Sequence, residues 1–400
     1  MRKGNKELIR EINRTLVLNL IKNHAPISRI DLAGLSGLSA ASITGITAKL
    51  IDCGLIFEKE EGDSRGGRKP ILLALNPHGS FMVGLKLTEQ YAIGALTDLQ
   101  ATVIANHRSR LKNRSIEAAI DTMVGVVKTL SDQGGMESEE LLGVGLGLAG
   151  IVHGAQGILR HSPILGWRDV PLKNMLQDRV GAPVYVDNDV NTLTLTELWF
   201  GAGQGVDNFL TVTIGRGVGL GIVINGQLYQ GAYGGAGEFG HTVIDPEGPP
   251  CACGKQGCLE TYTSDPALML MVSDAITRGE MEEGVETVAD LLTRADEGDV
   301  AARKIYAKAG EMLGIGIANL ITLFSPQLII ISGEGVRAGD WIFEPMRASI
   351  ARHVMPGLAE DTKIRIDVWD DDAWARGAAS LVLKKLFESP MHREMIEFSA

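Results

Sequence analysis

One pattern of apolar strands and short turns occurs twice in this 400-residue chain. The first copy, "HGSFMVGLKLTEQYAIGALTDLQATVIANHRSRL", begins at His78, and the second, "DNFLTVTIGRGVGLGIVINGQLYQG", begins at Asp207. Each breaks its apolar runs with Gly, Asn, Asp or Thr, which is how a strand meander is written. Later strands, "LLGVGLGLAG" and "VYVDN" in the first half and "QLIIISGEGV" and "TKIRIDVWD" in the second, are interleaved with helical stretches such as Ser115 to Leu130. A meander repeated in two halves predicts an α/β body of two similar lobes, with a small ligand in the cleft between them.

Glycine is abundant, 49 of 400 residues, and it clusters as "GVGLGLAG", "GRGVGLG" and "GAYGGAG" beside apolar runs. We read these clusters as tight turns between strands and between strand and helix. No uninterrupted apolar stretch reaches the roughly 18 residues that a membrane span requires. The opening segment, "MRKGNKELIREINRTLVLNLIKNH", mixes acidic and polar residues with its apolar ones and so lacks the form of a signal peptide. These features predict a cytoplasmic protein with no membrane partner.

Charge is divided unevenly. Residues 1–75 hold 12 Lys and Arg against 8 Asp and Glu, a net of +4, whereas the whole chain carries −11. A basic head on an acidic body is expected where only the head meets a polyanion. Within that head, Ile9, Ile12, Leu16 and Leu20 recur at helical spacing, predicting a helix from about Lys6 to Asn23 that Pro26 ends. Ser28, with Asp31 three residues on, caps a second helix, Gly37 turns the chain, and Ser39 caps a third. On the third helix Ile43, Ile46 and Leu50 form the buried stripe. Ser39, Ala41, Ser42, Thr44, Thr47 and Lys49 are left for base edges and phosphates, as in a helix-turn-helix. The next segment, "LIFEKEEGDSRGGRKPILLALN", reads as strand, turn and strand, the wing of a winged helix. Arg65, Arg68 and Lys69 at its tip lie beside glycines that let the backbone approach a minor groove or phosphates.

The segment "GEFGHTVIDPEGPPCACGKQGCLE", Gly237 to Glu260, gathers one histidine and three of the four cysteines. Cys251 and Cys253 are too close in sequence to bridge comfortably, and a cytosolic chain rarely keeps disulfides. His241, Cys251, Cys253 and Cys258 instead supply one imidazole and three thiolates, the ligand set of a closed tetrahedral zinc site. With four protein ligands no position is left for a reactive water, so the zinc is expected to be structural. Cys53, in the head, is read as a small hydrophobe.

"TIGRGVGLGIVINGQLYQGAYGGAGEFGH" followed by "CACGKQGCLE" resembles the signature and zinc motif of the ROK family (repressors, open reading frames and kinases). With its flanking strands the likeness covers about residues 76–390. The head, through "INRTLVLNLI" and "SRGGRKP", is similar to the repressor branch, xylose-type repressors in particular. The resemblance implies a winged helix-turn-helix at 1–75 and a two-lobed body of sugar-kinase/actin-like (ribonuclease H-like) fold. It places one lobe at 76–190, completed by a C-terminal helix at 373–400, and the other, with the zinc loop, at 191–372. It further implies that sugar hydroxyls are held by Asn188, Asp189, Glu238, His241 and Glu260, with His241 serving metal and sugar through different ring nitrogens. The implied partners are operator DNA and a sugar effector, and the implied assembly is a homodimer or a dimer of dimers.

The family's kinases carry an early Asp-x-Gly-Gly-Thr turn that cradles ATP phosphates. Here that place reads "VGLKLTEQ", with Lys86 and Leu87 where the backbone must come close, and Arg216 stands in "IGRGVG" where kinases usually have threonine. The expectation is therefore a sugar sensor that lacks ATP chemistry, the rival being a sugar kinase with an appended head. Ile164, in "HSPILGW", replaces an asparagine that commonly contacts the sugar in the family, which leaves the ligand's identity open.

Overall fold

The structure, a computed structural model, describes residues 6–61, 70–368 and 371–388. It falls into two compact units, with the chain passing from the first to the second at Thr192/Leu193 and returning at Ala373/Trp374.

The first unit opens with α1 (Lys6–His24), β1 (Ile27–Ser28), α2 (Arg29–Ser36), α3 (Ala40–Asp52), β2 (Ile56–Glu61) and β3 (Ile71–Leu75). Ser28 Oγ accepts the Asp31 N–H and caps α2, Gly37 ends that helix at φ 69°, and Ser39 Oγ accepts the Ser42 N–H to start α3. The strands pair antiparallel in the order β1-β3-β2. The buried face of α1 is not the one its periodicity suggested: Ile9 and Leu16 are exposed, and Val17, Leu18 and Ile21 are buried. Cys53 is exposed at the end of α3 rather than packed as a hydrophobe.

The unit continues with β4 (Met82–Leu87), β5 (Tyr91–Thr97), β6 (Val103–Arg110), α4 (Ile116–Gly134), β7 (Gly143–Leu148), β8 (Ile151–His153), β9 (Ile158–Ser162), β10 (Trp167–Val170), α5 (Leu172–Val180) and β11 (Val184–Asn188). Its main sheet has the order β11-β7-β4-β5-β6, antiparallel through β4, β5 and β6 and parallel through β4, β7 and β11. The small antiparallel sheet β8-β9-β10 is an excursion whose three- to five-residue strands carry too little pattern to be read from sequence.

Helix α6 (Asp189–Phe200) carries the chain into the second unit. There follow β12 (Phe209–Ile214), β13 (Val218–Ile224), β14 (Gln227–Leu228), α7 (Glu260–Thr263), α8 (Asp265–Thr277), α9 (Val288–Glu297), α10 (Val300–Phe324), β15 (Leu328–Ser332), α11 (Asp340–His353) and β16 (Lys363–Ile366). The sheet order is β14-β13-β12-β15-β16, with β12 to β14 antiparallel and β15 and β16 added in parallel to β12. This repeats the first unit: a three-strand meander with its first strand central, and two later parallel strands on that strand's other side. The hairpin from β13 to β14 turns on Asn225 and Gly226 at φ 53° and 70°, the left-handed pair a two-residue loop requires. Among the described residues α10 is the single helix long and apolar enough to cross a membrane, and more than half of its apolar window is buried in this unit, with Leu313, Ile317 and Ile321 in the core.

The last described helix, α12 (Asp371–Phe387), belongs almost wholly to the first unit. It explains Gly84, and also Gly145, which composition assigned to a turn. Gly84 and Gly145 lie inside β4 and β7, and a Cβ on either would overlap the carbonyl oxygen of Ala375 or Ala378 in α12. The helix backbone rests on the sheet, an approach only glycine permits.

Candidate ligand, metal and DNA sites

On α3, Ser39, Ala41, Ser42, Thr44 and Lys49 are all exposed. Thr47 is not available to a base edge: it is 0% exposed. Its hydroxyl donates to the Ile43 carbonyl at 2.9 Å and accepts from Arg29 Nε at 3.1 Å. The buried stripe is thus Ile43, Thr47 and Leu50, with Ile46 only partly covered. Arg29, which pattern reading missed, also reaches Glu58 Oε1 at 2.8 Å and so ties α2 to both α3 and β2. Arg65, Arg68 and Lys69 lie outside the described residues.

Asn188 and Asp189 stand in the first unit, where β11 ends and α6 begins. The parallel pairing of β11 with β7 brings them to the carboxyl end of the sheet, where α/β proteins place ligand groups. Asn188 is largely committed to local work: Oδ1 accepts the Val190 N–H at 2.8 Å and Nδ2 donates to the Gly150 carbonyl at 3.0 Å. That leaves one amide hydrogen for a ligand. Beneath the pair Asp187 is buried, its Oδ1 accepting from Asn188 N at 2.8 Å and Asn191 Nδ2 at 2.9 Å. Burial pushes its carboxyl above the usual range, and those hydrogen bonds and the charges of Lys384 and Lys385 pull against that rise.

The early turn where a phosphate cradle would sit is closed by its own side chain. β4 pairs with β5 out to Leu87 opposite Ala92. Thr88 Oγ1 accepts the N–H groups of Gln90 and Tyr91 at 3.3 and 3.0 Å. Those amides are spent, whereas a phosphate cradle offers free ones. Lys86 Nζ packs 4.0 Å from the centre of the Trp374 ring.

Glu238, His241 and Glu260 stand in the second unit. Glu238 is exposed at the head of the short helical turn Phe239–His241. Glu260 Oε2 accepts the Val218 N–H at 3.1 Å and lies beside Gly217, so one of its oxygens holds the glycine turn 215–217. A second carboxylate, Glu334, stands against Gly215, where a Cβ would come within 2.5 Å of it. The backbone N–H of a third acidic residue, Asp265, donates to the Gly215 carbonyl at 2.7 Å. Burial and then the charge of Glu334 raise the Asp265 carboxyl's pKa, against the pull of Arg216. The carboxylates of Glu260 and Glu334 at one glycine turn oppose the approach of a polyphosphate.

His241, Cys251, Cys253 and Cys258 bring their ligand atoms to within 4.8 Å of one another. Cys253 Sγ and Cys258 Sγ are 3.7 Å apart, and Cys251 Sγ is 3.6 Å from His241 Nδ1. Zinc–sulfur bonds of about 2.3 Å and a zinc–nitrogen bond of about 2.0 Å, set at the tetrahedral angle, put sulfur and sulfur about 3.8 Å apart and sulfur and nitrogen about 3.5 Å apart. The donor set therefore fits a small tetrahedral metal ion, with Nδ1 as the imidazole donor. The loop is braced from outside the cluster as well. Tyr262 donates to Asp245 Oδ2 at 2.7 Å, and burial together with that carboxylate pushes its phenol up to about 12. Lys255 Nζ donates to the His241 carbonyl at 2.6 Å.

The pattern of the ROK family matches residues 82–385. The chain belongs to the ROK family. A xylose repressor of Caldicellulosiruptor bescii is 31% identical over 395 residues, 97% of this chain and 99% of its own. A crystal structure described as a ROK family transcriptional regulator, a homologue of the E. coli MLC protein, matches with a TM-score of 0.86 and 30% identity. It covers 97% of this chain and 99% of that one. A ROK family glucokinase from Streptomyces griseus, in complex with glucose and AMPPNP, matches with a TM-score of 0.66 and 28% identity, over 76% of this chain and 99% of its own. The ROK fold is thus common to regulators and kinases, and the chain's own residues must separate the two.

Proposed function

We propose that this ROK protein is a sugar-responsive transcriptional repressor of carbohydrate-utilisation genes, acting in the cytoplasm. Residues 1–75 form a winged helix-turn-helix that binds operator DNA with Ser39, Ala41, Ser42, Thr44 and Lys49 on the reading helix and Arg65, Arg68 and Lys69 on the wing. Residues 76–190 with 373–400, and residues 191–372, form the sugar-sensing body. Asn188 and Asp189 on the first unit and Glu238, His241 and Glu260 on the second are the sugar ligands. The cluster on the second unit holds zinc through four protein groups, which leaves the ion structural. Its Nδ1 linkage turns His241 Nε2 toward other work, the sugar by this reading.

The observation that carries the reading is coverage: the regulator structure matches 97% of the chain and the glucokinase 76%, a difference about the size of the head. The closed turn at Thr88 and the carboxylates around Gly215 favour a sensor over a kinase. Sugar acts only through its difference in affinity for the operator-bound and released states. A homodimer presents two reading helices to the half-sites of a palindrome, so small changes in head position weaken binding.

Two assays test this together. The full chain is expected to retard DNA from upstream of its own gene in a gel shift, and to phosphorylate none of D-xylose, D-glucose and N-acetylglucosamine from ATP. Turnover of any of the three would replace the sensor with the kinase reading.

A further inference from the structure

Helix α12 touches both ends of the first unit, and neither the sugar ligands nor the reading helix accounts for its contacts. It starts with the Trp374 ring under Lys86 and runs along β4 and β7 with its backbone against Gly84 and Gly145. So close a contact leaves little slack between helix and sheet. Strand β7 pairs in parallel with β11, with Gly145 opposite Tyr185 and Gly147 opposite Asp187, the buried residue that holds the Asn188 amide and the Asn191 side chain. One turn beyond Lys384 the helix reaches Phe387, a residue 7% exposed. Asn19 Nδ2 of α1 donates to the Phe387 carbonyl at 2.9 Å, and Lys22 Nζ of α1 lies 4.9 Å from the ring centre. Helix α1 in turn packs on α2 and α3.

We propose that α12 is the coupling element between effector and operator: a change at Asn188–Asp189 passes from β11 to its partner strand β7 and to the α12 backbone seated on Gly145, and leaves the helix at Phe387 to shift α1 and the head. The proposal rests on the reading that Asn188 and Asp189 hold the sugar. Every contact in the path lies within one compact unit, and the path from Asn188 to Asn19 crosses only β11, β7 and α12. A rod fixed to the sheet by glycine contacts transmits a displacement instead of absorbing it. Asn19 and Phe387 are therefore positioning residues, acting on DNA through α1 without touching it.

The test is a double-mutant cycle in the full chain, read by hydrogen exchange of the α1 amides for wild type, Asp187→Asn, Phe387→Ala and the pair. Each single change is expected to speed exchange in α1 at least fivefold while leaving α4 unchanged. Asp187→Asn is expected to add nothing once Phe387 is alanine. Additive effects, or an α1 indifferent to Asp187→Asn, overturn the proposal. If the buried amide variant fails to fold, Asn191→Ala, which removes a hydrogen bond to Asp187, takes its place in the same cycle. A second arm titrates the operator complex with D-xylose, D-glucose and N-acetylglucosamine in turn. Phe387→Ala and Asn19→Ala are each expected to retain sugar affinity and sugar-free operator affinity, and to lose at least tenfold in sugar-driven release. Release equal to wild type overturns the coupling. A wild type that none of the three sugars releases counts against the sugar reading alone, and the exchange cycle still decides the role of α12.

Discussion

Replacing Gly145 by alanine adds one methyl group, and the structure gives the cost of that methyl. The new Cβ would overlap the Ala378 carbonyl oxygen and lie 2.6 Å from its carbon, with Ala379 N at 3.3 Å. Carbon atoms in ordinary contact stand about 3.5–4.0 Å apart, so α12 must lift by about 1 Å or more. No flexible side chain is available to give way, because the obstructing atoms are helix backbone. Lifting the helix opens the layer under Ala375, Ala378, Ala379, Val382 and Leu383, all buried. The upper end of the range for overpacked cores, about 3 kcal/mol, is expected. For a unit of this size that lowers the melting temperature by about 6–12 °C. The control is the same substitution at Gly125, which lies within α4 with open space where a Cβ would go. There alanine is expected to stabilise by about 0.5–1 kcal/mol, because a helical glycine loses more backbone freedom on folding. Differential scanning calorimetry of the two variants reads opposite signs from one chemical change. A Gly145→Ala protein melting within a degree of wild type would refute the account of α12 as a helix seated on the sheet.

Further outcomes concern the head and the metal cluster. Burial lowers the Lys22 ammonium from 10.5 to about 8, a penalty on the order of 3 kcal/mol that exceeds the roughly 1 kcal/mol expected from its charge over the Phe387 ring. Because the folded value lies below the unfolded one, the unfolded chain binds more protons between pH 8 and 10.5. Stability should therefore rise with pH through that window and the full penalty should stand below it. Lys22→Met should melt higher than wild type at pH 7 and flatten that rise in thermal melts. Cys251→Ser with Cys253→Ser should abolish the binding of one equivalent of zinc, measured by atomic emission, and lower the melting temperature; zinc retained at full stoichiometry would remove those thiols from the ligand set. On α3, Thr44→Ala should weaken operator binding without changing the melt. Thr47→Val should do the reverse, costing about 1–3 kcal/mol in stability by stranding Arg29 Nε, and leave binding of the folded protein unaffected.

Local chemistry made the head largely legible. Ser28, Ser39 and Gly37 act on residues two to four positions away, and the structure has them as the sequence reads. Thr47 was misassigned because residues 43, 47 and 50 share a face as naturally as 43, 46 and 50, and a threonine can be buried once its hydroxyl finds Ile43 and Arg29. The buried face of α1 was read from its own periodicity, whereas contacts with α12, 368 residues away in sequence, help set it. The same non-locality hid the purpose of Gly84, and of Gly145, which looks like a turn glycine until the last helix lies on it. The duplicated meander was visible because both copies write the same strand-turn-strand pattern, and the short strands β8 to β10 were not. At the metal cluster, residue type and spacing sufficed, since three thiols and an imidazole around glycines and prolines have few other uses. The closure of the early turn by Thr88, and the carboxylates around Gly215, arise from side-chain geometry that no motif records.

The central claim, that a sugar controls the grip of this protein on DNA, is tested most directly by fluorescence anisotropy of a labelled fragment from upstream of its own gene, with the bound complex titrated with D-xylose, D-glucose and N-acetylglucosamine in turn. The account predicts that one sugar releases the DNA from wild type, and that Asp189→Asn and Glu238→Gln proteins bind the fragment normally yet fail to respond. Release by that sugar from both variants as readily as from wild type would contradict it.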